Sequence, residues 1–110
     1  MKALQINPSG LKRIVDIAGY TIAEQNDDIY HILGGHFDCV TLKHQAVMLV
    51  NDMGIFWGLP INLEAMRITR YPYVAGIALI LGVEDTPDGG IFVDCPAHYA
   101  DLADTKGVSQ

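Results

Sequence analysis

The longest apolar stretch of the chain runs from Val74 to Val83 and contains two glycines. It is about half as long as a helix that spans a bilayer, so it does not predict a membrane helix. Its central part, bounded by Gly76 and Gly82, is typical of a buried strand. The segment Ala46–Val50 is almost continuously apolar as well. Together these two segments predict the interior strands of a β-sheet.

Shorter segments with alternating or β-branched patterns predict the other strands. Residues 2–6 and 12–17 flank the turn signal Asn7–Gly10 and predict a hairpin. Residues 37–42 predict a strand that precedes Ala46–Val50. The glycine in Asn51–Gly54 suits a tight connection, with residues 55–57 as the returning strand. Residues 91–93 predict the last strand.

Two helices are expected from their capping signals. Thr21 and Glu24 have the spacing of a capping box, and Ile22, Ile29 and Leu33 then fall on one helical face. Gly34–Gly35 can end this helix in a left-handed conformation. Asn62 is a favoured N-cap and predicts a shorter helix over residues 63–69.

The expected order is therefore β-β-α-β-β-β-α-β-β, an α+β single domain with a mainly antiparallel sheet and one longer and one short helix. With 110 residues, half of them apolar, the chain has the size and composition of one folded domain. We place this domain at residues 1–95. Residues 96–110 are expected to form an acidic C-terminal extension with little ordered structure.

The net charge of −6 is unevenly distributed. Residues 1–83 are nearly neutral, whereas six carboxylates and one lysine fall in residues 84–110. This balance argues against direct nucleic-acid binding through a broad basic face. It argues equally against binding to an acidic membrane surface. The acidic end suits a solvated segment, or a surface that imitates DNA. Its carboxylates are Glu84, Asp85, Asp88, Asp94, Asp101 and Asp104.

Two cysteines far apart in sequence do not form a disulfide framework of the secreted kind. The first residues lack the apolar region of a signal peptide. We therefore expect a cytoplasmic protein.

The chain concentrates arginine and aromatic residues in one place, around residues 67–73. Arginine offers a planar fork to phosphate or carboxylate, and tyrosine offers a stacking face. The alternative is a helix end whose dipole favours cations. The candidate binding residues are Arg67, Arg70, Tyr71, Tyr73 and Trp57.

A second pattern has zinc-type ligands, with His36, Asp38, Cys39 and His44 in one stretch and Cys95-x-x-His98 in another. His36 and Cys39 point to opposite faces of a strand, and structural zinc sites usually show two close pairs. We therefore expect no metal or other cofactor. Inert cysteines and surface histidines are the simpler interpretation.

No Gly-x-Ser-x-Gly, P-loop, Gly-x-Gly-x-x-Gly or His-Glu-x-x-His motif is present. Asp27 and Asp28 lie about 100° apart on a helix and cannot form a facing acid–base pair. The sequence thus favours a protein that is not an enzyme.

Three segments in order carry a family resemblance: Val47–Gly54, the Gly58-Leu59-Pro60-Ile61-Asn62 run with its continuation to Ala65, and Val74–Gly82. Over about residues 1–95 the chain resembles a small domain-of-unknown-function family carried by phages, prophages and other mobile elements. The resemblance implies a mobile-element accessory protein, and some such proteins oppose host defence. It implies no catalytic residues.

The function expected from these observations is non-enzymatic binding of a host protein or a small anionic ligand, in the host cytoplasm if the protein is phage-encoded, and with anti-defence activity as one form of it. A homo-oligomer is also expected, because so short an apolar chain leaves apolar surface exposed. Two alternatives remain open, an acidic mimic of DNA and a small zinc- or thiol-dependent enzyme.

Overall fold

The computed structural model describes residues 1–104, which form an α+β domain built on a six-stranded antiparallel sheet. The strands are β1 (Lys2–Ile6), β2 (Lys12–Asp16), β3 (Phe37–Leu42), β4 (Ala46–Asn51), β5 (Ala78–Thr86) and β6 (Gly89–Val93). The helices are α1 (Ile22–Leu33), α2 (Leu63–Thr69) and α3 (Ala97–Ala100). The predicted fold class is confirmed.

The sheet has the order β2-β1-β5-β4-β3, and β6 also pairs with β5. Gly82 of β5 lies opposite Ala46 of β4 on one side and Val93 of β6 on the other. Because β1 pairs with the first part of β5 and β6 with the last part, β1 and β6 follow one another along the same side of β5. The apolar strand β5 is therefore the centre of the molecule, as its composition predicts.

Each face of the sheet has its own core. On one face, Leu49, Leu79 and Leu81 pack with Ile29 and Leu33 of α1. On the other face, Met48 and Ile80 pack with Ala65 of α2 and Tyr99 of α3. The helices thus form layers on both sides of the sheet, and none of those in residues 1–104 has the length and apolar character needed to cross a bilayer.

The capping signals place α1 and α2 correctly. Thr21 and Glu24 make both hydrogen bonds of the capping box, and Gly34 ends α1 in the left-handed conformation. The Asn62 side chain caps α2 by accepting from the Ala65 amide. Ile22 lies on the same helical face as Ile29 and Leu33, but its side chain is 61% exposed, so the first turn of α1 is not buried against the sheet.

The predicted strand at residues 55–57 and its tight hairpin are wrong. The chain instead forms successive turns, closed by hydrogen bonds such as those from the Trp57 amide to the Met53 carbonyl and from the Leu59 amide to the Gly54 carbonyl. Gly54 packs so closely that a Cβ there would lie 2.7 Å from the Ala75 carbonyl oxygen. This contact with residue 75 is not encoded in the local pattern.

Ordered structure continues beyond residue 95. The short helix α3, which the sequence pattern did not predict, buries Tyr99 to 6% exposure. Asp104 is tied to β2, because its amide donates to the Lys12 carbonyl and its carboxylate accepts from the Lys12 amide. The expected extension at 96–110 is therefore part of the domain as far as residue 104, and its remainder, 105–110, lies outside the described residues.

Candidate functional site

The segment that carries the two arginines is fixed by one buried asparagine. Asn62 is fully buried, and its side-chain amide donates to the carbonyls of Ile6 and Gly76 while its oxygen caps α2. A buried polar side chain of this kind is stable because all its groups are paired. Asn62 thereby fixes the start of α2 against β1 and the segment that leads into β5.

The turn between β3 and β4 faces the other end of α2. His44 and Gln45 both have positive φ, at 64° and 55°, a left-handed conformation that costs a non-glycine residue about 1–2 kcal/mol. The Tyr99 hydroxyl of α3 donates to the Lys43 carbonyl at 3.1 Å. Burial, with a further contribution from Cys95, raises the pKa of this hydroxyl, so it remains a donor. The turn is held in this shape by α3.

The rings of His44 and His98 stack, with centroids 3.8 Å apart and an angle of 25° between their planes. Tyr99 contacts both rings edge-on. Two imidazoles from distant parts of the sequence are thus brought face to face beside the β3–β4 turn.

The space between this histidine pair and α2 is a cavity of about 540 Å³, which we call the basic cavity. Its nitrogen-bearing side chains are those of Lys43, His44, Arg67, Arg70 and His98. The other lining residues are uncharged, and no carboxylate from the described part of the chain lines the cavity. In a protein with net charge −6, this is a local reversal of sign.

The two arginines differ in how they are held. Arg67 forms an ion pair with Glu64, with its Nε donating at 2.6 Å, and Lys12 approaches the same carboxylate at 3.3 Å. Burial raises the pKa of the Glu64 carboxyl, but the hydrogen bonds from Arg67 and Lys12 outweigh it, and the net pKa is below its ordinary value. Arg67 is therefore oriented by an ionised partner.

Arg70 has no ion pair within residues 1–104. It is the C-terminal cap residue of α2, with φ of 58°, the position where glycine is most common. Its side chain is exposed and lines the basic cavity. Arg70 is therefore available to a ligand, as is Lys43, which is exposed and forms no ion pair within residues 1–104.

The five residues predicted as one binding patch do not form a single surface. Arg67 and Arg70 line the basic cavity, whereas Tyr71 and Tyr73 line a separate groove beside β3. Trp57 lies against Gly35 at the end of α1, where a Cβ on Gly35 would come within 3.1 Å of the indole. The left-handed turn at Arg70 separates the arginines from the tyrosines that follow them in sequence.

The candidate zinc ligands do not form one cluster, although two of them meet. His36 packs edge-on against Tyr30, while His98 stacks on His44. Within residues 1–104, no group of three or more histidine, cysteine, aspartate or glutamate side chains is placed to hold a metal ion. The structure therefore joins the two halves of the pattern at the His44–His98 pair, but in the described part of the chain this pair does not belong to a group of three ligands.

Neither cysteine is activated as a nucleophile. Burial, together with the charge of Asp94, raises the pKa of the Cys95 thiol to about 11, even though a hydrogen bond from the Leu4 backbone acts in the opposite direction. Burial and the neighbouring Asp38 also raise the pKa of Cys39. A reactive cysteine needs a lowered pKa, so the environment of both thiols favours the unreactive form.

The carboxylates of residues 84–104 do not all face solvent freely. Asp94 accepts a hydrogen bond from the Lys2 amide at 2.8 Å, and Asp104 accepts one from the Lys12 amide. These two side chains tie the C-terminal segment to β1 and β2. Glu84, Asp85 and Asp88 lie instead on the β5–β6 hairpin.

Sequence reasoning placed the arginines but missed Lys43 and His44 as members of the same site. The sequence does contain one signal for them. The turn between the two predicted strands has no glycine and contains Lys43 and His44. Their convergence with His98 depends on the packing of α3, which the local pattern does not show.

Comparison with known proteins gives one match. The model of a family described as a domain of unknown function, DUF3846, matches residues 1–104, the same range that the structure describes. No curated protein and no solved structure matches the chain. The family match covers nearly the whole chain, and the protein therefore belongs to the DUF3846 family.

Proposed function

We propose that this protein is a non-enzymatic binding protein that holds a small anionic ligand in the basic cavity. The observation that carries the proposal is the charge of this cavity, which is lined by five nitrogen-bearing side chains and by no carboxylate from residues 1–104, in an acidic protein. Such a site attracts anions, because the field of clustered cations is concentrated inside a concave surface.

Backbone conformation supports the same site. Three non-glycine residues in the described chain have positive φ, and two of them, His44 and Arg70, line the basic cavity. Left-handed non-glycine residues cost free energy and often occur at functional sites. Glycine would remove this cost, whereas His44 and Arg70 bear it.

The side chains fit phosphate or carboxylate groups in particular. The Arg70 guanidinium offers a planar fork that binds such groups through two parallel hydrogen bonds. The stacked rings of His44 and His98 each carry a ring N–H that can donate a further hydrogen bond. A ligand with one or two acidic groups could therefore contact α2 and the β3–β4 turn at once.

A protein that binds without catalysis can act in two ways here. It can sequester a free anion in the basic cavity, or it can bind an acidic group of a host protein there. The second mode agrees with the mobile-element origin and anti-defence role that the sequence resemblance implies, and with action in the cytoplasm. The alternatives have less structural support. Against a DNA mimic, the carboxylates of Asp94 and Asp104 form hydrogen bonds within the protein. Against a thiol-dependent enzyme, the pKa values of both cysteine thiols are raised.

The test is calorimetric titration of the protein with pyrophosphate and with citrate, which probe phosphate and carboxylate binding separately. We expect at least one of them to bind. Replacing Arg70→Gly should weaken its binding about tenfold or more, the effect of losing a charge-assisted hydrogen bond. The same variant should keep or raise the melting temperature, because glycine accepts the left-handed conformation.

Arg13→Ala is the matched control, because it removes one cation from β2, outside the cavity, and should leave the affinity within about twofold. The proposal fails if neither probe binds the unmodified protein at about 1 mM. It also fails if Arg70→Gly and Arg13→Ala weaken binding equally.

A further inference from the structure

The strand β3 is at the edge of the sheet and pairs only with β4. The Asp52 amide donates to the His36 carbonyl, which continues the β3–β4 register, so the even-numbered residues of β3 direct their backbone groups to β4. In an antiparallel ladder the alternate residues point the other way. The N–H and C=O groups of Phe37, Cys39 and Thr41 therefore face away from the sheet.

A groove of about 570 Å³ runs along this edge, and we call it the β3 groove. Four consecutive residues, 38–41, line it. Val50 and Asn51 of β4 line it as well. Because successive strand side chains point to opposite faces, a groove that touches four residues of β3 in a row extends from the face of the β3–β4 pair to the outer edge of β3. The segment Tyr71–Ala75 also lines it, with Tyr71 and Tyr73 exposed by 47% and 68%.

The charge of the β3 groove is opposite to that of the basic cavity. Asp38 and Asp52 line it, and no lysine, arginine or histidine of the described chain does so. The exposed tyrosine rings can also contact cations through their faces. A basic side chain is thus the complement of this groove.

The strands at the two ends of the sheet order, β2 and β3, are not alike. On the outer strand β2, Lys12, Arg13 and Asp16 are charged, and charged residues discourage strand pairing at an edge. On β3 only Asp38 is charged. Of these two strands, β3, which lines the groove, is therefore the less protected from an added strand.

We propose that the β3 groove binds an extended, basic segment of a partner polypeptide, which adds to the sheet as a strand beside β3. Backbone hydrogen bonds to Cys39 and Thr41 provide the affinity, and alternating basic side chains next to Asp38 and Asp52 provide the selectivity. This mode of recognition is common for exposed sheet edges. The site is separate from the basic cavity, and the proposal does not depend on the cavity's ligand.

The probe is a blocked peptide of alternating valine and lysine, and its counterpart has glutamate in place of lysine. Backbone amide exchange is followed by NMR in the full chain. With the lysine peptide we expect slower exchange at Cys39 and Thr41, while Asp38 and Val40, already paired with β4, change little. The affinity for the glutamate peptide should be lower by a factor of about ten or more, because its negative charges are repelled by Asp38 and Asp52 in the groove.

Cys39→Pro removes an outward-facing N–H and no bond of the β3–β4 ladder, a position where an edge strand tolerates proline. It should abolish peptide binding, whereas Cys39→Ser should retain it. If Cys39→Pro does not fold, Asp38→Lys gives the second measurement, and it should shift the preference toward the glutamate peptide.

The proposal is overturned if neither peptide changes exchange at Cys39 and Thr41 at about 1 mM, or if Cys39→Pro and Asp38→Lys bind the lysine peptide as well as the unmodified chain does. It is also overturned if these amides are protected without peptide in proportion to protein concentration, because the occupant is then a second copy of the chain.

Discussion

At the scale of single residues, the site is shaped by side chains whose partners are far away in sequence. Lys12 and Glu64 lie on β2 and α2, and Glu64 in turn orients Arg67 at the basic cavity. The sequence shows that Arg67 and Arg70 lie close together, but not that the first is paired and the second is not. That difference depends on where the hairpin β1–β2 meets α2, which is a tertiary contact.

The pairing of Glu64 predicts a pH dependence. Its pKa in the folded chain is below the ordinary value of 4.5, so the ionised form stabilises the fold above about pH 4.5, and this contribution is lost as the pH falls through the lower folded value. Glu64→Gln should lower the free energy of unfolding by about 1 kcal/mol at neutral pH. Urea denaturation at a series of pH values measures this.

The difference between Glu64→Gln and the unmodified chain should shrink below about pH 4.5. Asp88→Asn is the control, because Asp88 is exposed in the turn between β5 and β6 and forms no ion pair in the described chain. A constant difference for Glu64→Gln at all pH values would contradict the ion-pair account.

At the scale of helices and strands, predictions succeeded where the signal was local. The capping box at Thr21 and the Asn62 cap involve residues within three positions of each other, so their spacing in the sequence is sufficient. The strand expected at residues 55–57 failed because Gly54 packs against Ala75. The same limit applies to the site, since the stacking of His44 on His98 joins distant segments.

The capping box of α1 gives a second prediction. The Thr21 hydroxyl accepts from the Glu24 amide at 3.1 Å, and the Glu24 carboxylate accepts from the Thr21 amide at 3.0 Å. Thr21→Ala should lower the free energy of unfolding by about 1 kcal/mol, because an amide loses its partner. The Tyr20 side chain is fully exposed, so Tyr20→Ala should change stability by less than about 0.5 kcal/mol. Equal losses in chemical denaturation would show that the cap contributes nothing.

At the scale of the whole molecule, the fold is closed by its C-terminal segment. The Cys95 amide donates to the Lys2 carbonyl, Asp94 accepts from the Lys2 amide, and Asp104 exchanges two hydrogen bonds with Lys12. The acidic residues that suggested a solvated extension thus include two that hold the segment in place. Composition reports their charge but not their hydrogen-bond partners, which is why the boundary at residue 95 could not be corrected from the sequence.

This closure predicts the outcome of truncation. Relative to a chain of residues 1–104, a chain of residues 1–95 should be strongly destabilised. The shorter chain loses the buried Tyr99 ring, and removal of a buried aromatic side chain alone costs about 3–5 kcal/mol. Because a domain of this size has only about 5–15 kcal/mol of stability in total, much of the 1–95 chain should be unfolded in circular dichroism.

Tyr99→Phe, which removes only the hydrogen bond to the Lys43 carbonyl, should cost about 1 kcal/mol and leave the fold intact. If residues 1–95 unfold at the same midpoint as residues 1–104, α3 is not part of the folding unit, and the basic cavity loses the wall that His98 provides.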